Sequence, residues 1–574
     1  MGLAWSFLGW LWTSPYSVPS ESLSLLWDGI VNNPLHSTAP DDLKEAAKAV
    51  EFVGTDEPGA PINWRFAESI SAIKGFQAAM LNVLLKRKYG IDYQRVVINT
   101  DHAQLFVMSV FFPIIDPHGE KVEAVPNEKF FRYFPNCNIY AQRLTSPCTN
   151  IYRTKDNRFY HIHGSLNHTV PQKALEITDE EELAPFEEGR QAYQDKIAQM
   201  DSKDLDELMN VKHRQAGTIC MTQEEYLASE HGKANSQIGL YEIHHIPNQK
   251  QAASWWGTPE SVEASPKRPL FGLKVVDLTR MIASPVVCRE LAEMGASVMR
   301  ITSPNIPDLC HLNLDMQWGK WNAHLDLRRD EDRLTLRELI EEADVVVDGY
   351  RPGVMEKWGF GKNDVLDLFK DKERGIVYAR ENCYGWNGPL SHLSGWQQIS
   401  DAHCGASYAY GKAMGNDEPV TPVWPNSDYC TGAAGAVGIL EALLKRAESG
   451  GSCVVDIALN YYSQWLINSC GTYSQEVWER VWDRFDRPVF RHWDSMGVTI
   501  PYYLEALRKA DSPILNPDFF EDREDKAIGA PVRTVRPILT FPEGRVTLGY
   551  NVGSRGNGVD RPRWPKDLLT EVVV

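Results

Sequence analysis

The 574-residue sequence predicts an α/β protein with an open, parallel sheet in its C-terminal half. After residue 270, patterns of buried strands alternate with patterns of amphipathic helices. The segment GLKVVDL is followed by SPVVCRELAEMG and ASVMRIT, and HLDLRR is followed by DEDRLTLRELIEEA, DVVVDGY and GIVYAR. Strands joined through helices in this way form a parallel sheet of the nucleotide-fold type. The contents of 43% hydrophobic and 24% charged residues are those of a folded, globular chain.

The length exceeds what one hydrophobic core normally organises, so several domains are expected. The clearest seam lies at residues 249–270, QKQAASWWGTPESVEASPKRPL, where Pro, Ser, Ala and charged residues replace periodic hydrophobic positions. We expect residues 1–248 to form one half, residues 249–270 to be a linker, and residues 271–574 to contain the parallel sheet. In the first half, NRFYHIHGSLN predicts a hairpin-like element.

The connections of the predicted sheet lack the motifs of common nucleotide cofactors. The turn after the first strand, LTRMIASP, contains no glycine, which disfavours NAD and FAD because their pyrophosphate needs a glycine-rich turn. The sequence also contains no G-x-x-x-x-G-K-[ST] loop of a P-loop nucleotide hydrolase. The net charge of -18 is spread along the chain without a stripe of Lys or Arg, so nucleic acid is not an expected partner.

Two histidines in FYHIHG are candidates for a metal site. His161 and His163 alternate as residues on one face of a strand do, and with a third ligand they would suit a metal ion. Two partly exposed strand histidines are the better interpretation. The cysteines form no C-x-x-C pair, which gives no support to a zinc site of the ribbon or finger type. We expect no metal.

The cysteine pattern and the start of the sequence indicate the compartment. The 10 cysteines are scattered, which favours free thiols in a reducing compartment. The start, MGLAWSFLGWLWTSP, is apolar, but it has no basic region and is too short to span a bilayer. We therefore expect an amphipathic packing helix there, no membrane insertion, and a cytoplasmic protein.

One carboxylate, Asp428, stands in the segment with the most unusual composition, residues 424–459. It lies where a strand or loop is predicted to give way to a helix, and the residues soon after it, CTGAAGA, are small. Small residues bury little apolar area, so the pattern suggests space for a ligand around Gly432. The positive end of a helix also favours an ionised carboxylate, which suits a nucleophile. A helix cap at Ser427 or Asp428, with small residues for close helix packing, is the alternative.

A second segment resembles the one around Asp428. PINWRFAESISAIKGFQAAMLNVLLKR, from Pro61, aligns with PVWPNSDYCTGAAGAVGILEALLKR, from Pro422, when both are matched on the shared ending Leu-Leu-Lys-Arg. In this alignment Asp428 corresponds to Ser69, and Glu68 is the residue before Ser69. This predicts a second, altered copy of the site, in which Glu68 is degenerate because the bare glycine turn is missing. Two unrelated amphipathic helices are the alternative.

Four blocks between residues 269 and 467 resemble the class III CoA-transferases, the CaiB/BaiF family. These blocks are PLFGLKVVDLTRMIASPVVCRELAEMGASVMRI, GKWNAHLDLR, ADVVVDGYRPGVMEKWGFG and the segment around Asp428. The resemblance implies a Rossmann-like large domain that binds CoA, a small α+β domain, and interlocked copies of the fold. Residues 20–248 resemble, more weakly, the later part of the same fold. The resemblance thus implies a CaiB/BaiF CoA-transferase fold with internal duplication, either as an intramolecular pseudo-dimer or as a homodimer.

The resemblance also implies the reaction and its residues. Asp428 would be the catalytic carboxylate, which attacks the thioester of an acyl-CoA and passes CoA to a small carboxylic acid through a mixed anhydride and an aspartyl-CoA thioester. Backbone N–H groups of the glycine-containing turn would hold the oxyanion. Coenzyme A and acyl-CoA are then substrates, and no permanently bound cofactor is expected. The matching CoA-contacting positions are Arg328, Tyr350, Arg351 and Lys357, to which the end of the first strand adds Arg280.

Trp396 marks a departure from that family. It stands in SGWQQISDAHCG, where transferases often have Tyr and where the related α-methylacyl-CoA racemases have a catalytic His, and we place it in the substrate pocket. Racemisation needs an acid and a base on opposite faces of the α-carbon, so the missing His weakens that function. His403, further along, is expected to be a packing histidine. An isomerase of the racemase type and a non-catalytic CoA-binding scaffold remain the alternative functions.

Overall fold

The computed structural model describes residues 16–136, 147–180 and 185–574. The apolar start that the sequence predicts to be a helix lies outside these residues. Within the described ranges, no helix is both long enough and apolar enough to cross a bilayer. Cys310 is disulfide-bonded, so the expectation of free thiols is wrong at that position. Free thiols are present at Cys220, Cys288, Cys383, Cys404, Cys430, Cys453 and Cys470.

Strands and α-helices follow one another along the described chain. The strands are β1 (Val50–Val53), β2 (Val96–Asn99), β3 (Ile114–Ile115), β4 (Val122–Glu123), β5 (Asn150–Arg153), β6 (Phe159–Ile162), β7 (Gly217–Ile219), β8 (Glu242–Ile246), β9 (Lys274–Leu278), β10 (Ser297–Thr302), β11 (Lys320–His324), β12 (Val345–Asp348), β13 (Val377–Asn382), β14 (Ser452–Ala458), β15 (Phe520–Asp525) and β16 (Ala530–Val535). The helices are α1 (Val18–Leu26), α2 (Leu43–Ala47), α3 (Phe66–Tyr89), α4 (Thr100–Phe106), α5 (Glu128–Phe131), α6 (Thr169–Ala174), α7 (Phe186–Ile197), α8 (Ser202–Asp206), α9 (Gln223–Ala228), α10 (Glu230–Asn235), α11 (Ala283–Glu293), α12 (Cys310–Met316), α13 (Asp330–Glu342), α14 (Val354–Lys357), α15 (Lys362–Phe369), α16 (Gln397–Cys404), α17 (Ala406–Ala413), α18 (Asn426–Ser449), α19 (Leu459–Trp465), α20 (Gln475–Arg484) and α21 (Met496–Lys509).

A seven-stranded sheet forms the centre of the molecule, in the order β11-β10-β9-β12-β13-β14-β8. All neighbouring strands from β11 to β14 are parallel, and β8 at the edge runs antiparallel to β14. Strands β9, β10, β12 and β13 carry the hydrophobic segments from which the sequence predicts the sheet. Segments with this many apolar residues suit strands that are covered on both faces. The parallel α/β architecture is therefore confirmed.

The third strand of the sheet differs from the sequence prediction. Strand β11 ends at His324, so HLDLRR continues as a loop and not as a strand. The physical reason is Asp326, whose carboxylate accepts a hydrogen bond from the Arg328 backbone N–H at 3.2 Å. The backbone N–H of Asp326 also donates to the Asp332 carboxylate at 2.7 Å. These local bonds turn the chain towards α13 and compete with further strand pairing.

Two of the sheets contain strands from both sequence halves. Strand β8, which precedes the segment 249–270, pairs with β14, and β3 pairs with β16. The three-stranded antiparallel sheet β5-β6-β7 contains the expected hairpin, in which Asn150 opposes Ile162. The segment 249–270 therefore connects parts of one interlocked structure and does not separate two independent sheets.

Helix α18 lies in the middle of the molecule and packs against α11, α3 and β14. Its glycines allow this close approach. A Cβ on Gly432 would lie 2.6 Å from the Ala283 carbonyl oxygen, and a Cβ on Gly435 would lie 2.6 Å from Ile457 Cδ1. Both distances are far inside ordinary van der Waals contact. The small residues after Asp428 thus serve close helix packing, and the expectation of open space around Gly432 is wrong.

We expect the change Gly432→Ala to destabilise the fold, although alanine by itself favours a helix by about 1 kcal/mol over glycine. The added methyl group meets the Ala283 carbonyl oxygen, a backbone atom that cannot rotate away, and overpacking of this kind costs about 1–3 kcal/mol. Differential scanning calorimetry measures the effect as a lower unfolding temperature. Gly257→Ala is the matched control, because a Cβ at Gly257 meets no described atom within 4 Å. An unchanged unfolding temperature for Gly432→Ala would contradict this packing.

Candidate active site

Asp428 is the third residue of helix α18 and lies next to the end of strand β13. Its side chain is buried, with 8% of the residue exposed, and its carboxylate accepts no hydrogen bond from a described residue. The acids that act on it are Glu381, on β13, and Asp401, on α16. Burial of an acid without donors is costly, so such a group rarely serves stability. The surroundings therefore make Asp428 a candidate for a reactive group.

Burial decides the charge state of Asp428. It raises the pKa of the Asp428 carboxyl well above its usual range, and the charges of Glu381 and Asp401 raise the pKa further. A helix N-terminus stabilises a carboxylate by only about 0.3–1 kcal/mol, whereas the desolvation of an ion costs several kcal/mol. The expectation that the helix end keeps Asp428 ionised is therefore wrong for the chain without ligand.

Two neighbouring acids, Glu381 and Asp401, are additions to the residues identified from the sequence. Ser284 donates a hydrogen bond to Glu381 Oε2 at 2.7 Å, and Ser427 donates one to Asp401 Oδ1 at 2.7 Å. Burial raises the pKa of each carboxyl to about 7. Glu381 directly follows the predicted strand GIVYAR. An acid at the carboxyl end of a parallel strand is the signal by which the sequence indicates it.

A cavity of about 220 Å³ lies at the carboxyl ends of β9, β10 and β11; we call it the crevice. Arg328 and Tyr350 both line it, so two of the residues assigned to CoA from the sequence lie together. Lys357 is exposed beside the crevice, with its Nζ 4.9 Å from the ring of Trp358, which is part of the wall. The apolar part of the wall includes Leu278, Ile301, Ile306, Leu325, Leu327, Val354 and Met355.

Arg280 and Arg351 lie near Tyr350, and neither belongs to the crevice wall. The Arg280 guanidinium approaches Asp308 to 4.0 Å, and its Nη2 makes no hydrogen bond with a described residue. Arg351 donates a hydrogen bond to the Arg214 carbonyl oxygen at 3.1 Å. Burial, together with the charges of Arg214 and Arg280, lowers the pKa of Arg351. The two predicted guanidinium groups therefore lie near each other and near Tyr350 of the crevice wall.

Trp396 contacts a segment from the first half of the chain. Its indole N–H donates to Ser165 Oγ at 3.1 Å, and the same oxygen accepts a hydrogen bond from Arg351 Nη2 at 3.2 Å. The Trp396 ring stacks on the ring of His163, with centroids 4.9 Å apart and planes inclined by 2°. Ser165 and His163 thus hold two predicted site residues. No pattern in the sequence indicates Ser165, because its partners lie far away along the chain.

The histidines of FYHIHG are buried, so their interpretation as partly exposed residues is wrong. Burial lowers the pKa of His161 to about 4 and that of His163 to about 3. The ring nitrogens of His163 already bond to the Ser165 backbone N–H and to the Gln398 side chain, which leaves neither nitrogen for a metal. His403 is likewise buried among aromatic rings, as expected of a packing histidine.

One group of described side chains has the spacing of metal ligands: Glu242, His244 and Asp456. Arg380 already binds the Asp456 carboxylate through two hydrogen bonds, at 2.6 and 2.9 Å. This guanidinium offsets the negative charge on which a metal ion would depend. We therefore assign no metal to the group.

Ser284 links the surroundings of Asp428 to the crevice. Its side chain packs against Gly349, where a Cβ would lie 2.6 Å from Ser284 Cβ, and Gly349 directly precedes Tyr350 of the crevice wall. The Ser284 hydroxyl also bonds to Glu381, beside Asp428. The order along this edge of the sheet is therefore the crevice, Ser284, Glu381 and Asp428.

Glu68 occupies the same position in helix α3 as Asp428 does in α18. Each helix is 24 residues long, and each acid is the third residue of its helix, shortly after a tryptophan. An alignment of the two helices on their first residues thus matches Asp428 with Glu68. An alignment on their shared endings matches Asp428 with Ser69. Glu68 is fully buried and accepts hydrogen bonds from the Tyr16 and Tyr473 hydroxyls. Because its carboxyl already has donors, its surroundings are those of a structural acid, and the internal duplication stays a prediction.

Known proteins resemble the chain over different lengths. The model of CoA-transferase family III matches residues 270–481. The acetyl-coenzyme A transferase nodX of Hypoxylon pulicicidum is 50% identical over 565 residues, which cover 97% of this chain and 95% of that protein. An acyl-CoA transferase of Gibberella moniliformis is 28% identical over 517 residues, or 88% of each protein. A crystal structure of a CAIB/BAIF family protein from Brucella suis matches 34% of this chain and 55% of its own, with 24% identity and a TM-score of 0.30, which is too low to support an argument.

The match at 50% identity extends over almost the whole chain, including the half that precedes the family model. The four sequence blocks and the parallel sheet agree with it, so the resemblance found in the sequence is confirmed. The chain belongs to CoA-transferase family III.

Proposed function

We propose that this CoA-transferase moves CoA from an acyl-CoA to a free carboxylic acid through covalent intermediates on Asp428. The observation that carries the proposal is the Asp428 carboxylate itself, which no described residue binds. A nucleophile needs a free oxygen, whereas a structural acid needs donors. The crevice with its nearby cations supports the same assignment, because an acyl-CoA has to be held close to the nucleophile.

The proposed reaction has two balanced halves. First, an Asp428 oxygen attacks the thioester carbon, the C–S bond breaks, and a mixed anhydride and the CoA thiolate form. The thiolate attacks the Asp428 carbonyl carbon, which releases the donor acid and leaves an aspartyl-CoA thioester. The acceptor carboxylate then attacks this thioester to form a second anhydride, and the released thiolate attacks the acceptor's acyl carbon and restores Asp428. Each step exchanges one activated acyl group for another, so the transfer is divided into steps of similar energy.

The crevice is the proposed binding place of the CoA nucleotide. Its apolar wall suits a ring system, and guanidinium and ammonium groups bind phosphate oxygens through charge-assisted hydrogen bonds. The wall includes Tyr350 but not Asp428, which is 8% exposed. The pantetheine arm therefore has to displace side chains that now cover the carboxylate. The cations proposed to bind CoA are Arg328 and Lys357 at the crevice and Arg280 and Arg351 near Tyr350 of its wall.

The surroundings of Asp428 suit a nucleophile once the group is ionised. A raised pKa means a more basic oxygen, and basic oxygens attack carbonyl carbons more readily. A buried carboxylate also has little water to displace before it attacks. The raised pKa also means that the ionised form of Asp428 is less populated at low pH.

The first half of the chain supports the proposal of an intramolecular pseudo-dimer. Ser165, from that half, binds Arg351 and Trp396 of the second half, and strand β8 forms the edge of the large sheet. One chain thus combines elements that the family resemblance assigns to two interlocked copies. Oligomerisation is not needed to bring these residues together.

We expect Asp428→Asn to reduce kcat for CoA transfer by roughly 10⁴-fold or more, because an amide does not form the anhydride. Mass spectrometry follows CoA exchange between an acyl-CoA and a panel of free acids. Acetyl-CoA is the first donor to test, since the relative at 50% identity is described as an acetyl-coenzyme A transferase. After incubation with acetyl-CoA, borohydride should modify the wild-type chain at Asp428, as located by peptide mapping.

Glu68→Gln is the matched control for Asp428→Asn, since both acids are third residues of long helices. This variant should keep CoA transfer. Borohydride modification at Glu68, or full activity of Asp428→Asn, would overturn the assignment of the nucleophile. Uptake of α-deuterium from heavy water without CoA transfer would support an isomerase instead.

We expect kcat/KM for acetyl-CoA to rise with pH, with an acid limb well above the ordinary aspartate pKa of about 3.9. Burial raises the pKa of Asp428, so its protonated, unreactive form persists to a higher pH than in a free aspartate. Initial rates between about pH 4 and pH 9 test this, with folding checked by circular dichroism at each value. Rates that stay constant down to about pH 4.5 would be inconsistent with a buried nucleophile.

We expect Arg328→Met to weaken CoA binding about tenfold, because one charge-assisted hydrogen bond to a phosphate is lost. Isothermal titration calorimetry with CoA measures the change in Kd. Arg329→Met is the matched control, since Arg329 is exposed, lies outside the crevice wall and pairs with Glu331 at 3.4 Å. Equal Kd values for the two variants would argue against the proposed position of the nucleotide.

A further inference from the structure

Glu381 is an acid beside Asp428 that the reaction above does not use. Its Oε2 accepts a hydrogen bond from Ser284 at 2.7 Å, and its other oxygen accepts none from a described residue. The residue is partly exposed and stands between Asp428 and Ser284, on the side of the crevice. One oxygen of Glu381 is therefore free of hydrogen bonds from described residues, beside Asp428.

No Lys or Arg among the described residues acts on the charge of Glu381. Asp428 faces it from α18, Cys383 faces it from beyond the end of β13, and Ser284 donates to it from α11. Part of Glu381 is exposed, but its carboxyl is largely desolvated. Two neighbouring desolvated carboxyls without a cation do not both ionise readily, because their charges repel. Because the charge of Glu381 raises the pKa of Asp428, the resting pair carries its one proton on Asp428, and this proton passes to Glu381 when Asp428 becomes the attacking anion.

The site needs a donor for the oxyanion, and the backbone of the glycine-containing turn does not supply it. Gly432 lies inside α18, so its N–H bonds to the carbonyl oxygen one turn earlier in the helix. Glu381, by contrast, has a free oxygen, and burial raises the pKa of its carboxyl to about 7. A carboxylic acid kept neutral by its surroundings is an effective donor to a developing oxyanion.

We propose that Glu381 is a further catalytic residue, whose protonated carboxyl donates a hydrogen bond to the acyl oxygen as negative charge develops on it. This role rests on the proposed function of Asp428 as nucleophile. After the proton has passed from Asp428 to Glu381, no bond to Glu381 forms or breaks, and the proton stays on its carboxyl through each addition and elimination. The hydrogen bond is strongest in the tetrahedral states, which is the condition for lowering the barrier.

The experiment compares two substitutions of Glu381 in CoA transfer from acetyl-CoA. Glu381→Leu removes the donor, and we expect kcat to fall about 10²–10³-fold. Glu381→Gln keeps an N–H donor that cannot ionise, and we expect kcat within about tenfold of the wild type. In the wild type, kcat should decline on the alkaline side as the acid pair loses its second proton, and Glu381→Gln should lack this decline.

Ser284→Ala is a second variant, which does not alter the acid itself. The Ser284 hydroxyl stabilises the ionised form of Glu381, so its removal raises the pKa of that carboxyl. The alkaline limb of kcat should consequently move to higher pH. A merely structural role for Ser284 would change the unfolding temperature without moving this limb. Glu338→Gln, on the exposed face of α13, is the control for loss of a surface acid.

Several outcomes separate the role of Glu381 from that of Asp428. A kcat for Glu381→Leu within about threefold of the wild type overturns the role of Glu381. An unchanged alkaline limb of kcat in Glu381→Gln or Ser284→Ala overturns the role of Glu381 as well. If Glu381→Leu does not fold, these two variants test the role without it. Borohydride modification of Asp428 would still support the nucleophile in these cases. Absence of CoA transfer by the wild type with every acid tested overturns both proposals.

Discussion

The close contact between helices α18 and α11 is the constraint on which the rest of the structure depends. Gly432 and Gly435 let α18 approach α11 and the sheet so closely that no side chain fits at either position. This contact fixes the position of α18 against α11 and the sheet, and Asp428 is the third residue of that helix. Close packing excludes water, so the same contact buries the acid. Position and desolvation of the candidate nucleophile thus have one physical origin.

Desolvation connects the acids of the site to one another. Without donors, the Asp428 carboxyl keeps its proton more strongly, and it shares a dry region with Glu381 and Asp401. Asp401 is held by Ser427 and Gln397, whereas Glu381 has one bonded and one free oxygen. Carboxyl groups thus differ in the roles they can serve because their hydrogen bonds differ. The acid with donors on both sides suits a structural role, and the acids with free oxygens suit chemistry.

The interlocked chain brings residues from both halves of the sequence to the candidate site. Strand β8 and the segment around Ser165 come from the first half, yet they extend the large sheet and hold Arg351 and Trp396. Glu68, at the position in α3 that Asp428 has in α18, is bound by two tyrosine hydroxyls. The acids at the two helix starts therefore differ in their hydrogen bonds: Glu68 has donors, as a structural acid does, whereas the candidate nucleophile Asp428 has none from a described residue. Their likeness in length and position supports a duplicated origin, which remains a prediction.

The sequence by itself determined the parallel sheet, because strands β9, β10, β12 and β13 come from segments rich in apolar residues that alternate with amphipathic helices. It also singled out Asp428, and it indicated Arg328 and Tyr350, which the structure brings together in the crevice. Only the tertiary structure decided that HLDLRR is a loop, that Gly432 serves packing, and that Glu381 and Ser165 adjoin the site. Local patterns report periodicity and helix ends, whereas burial and hydrogen bonds depend on residues that are distant along the chain. The charge state of Asp428 is the clearest case, since its helix position favours ionisation and its surroundings oppose it.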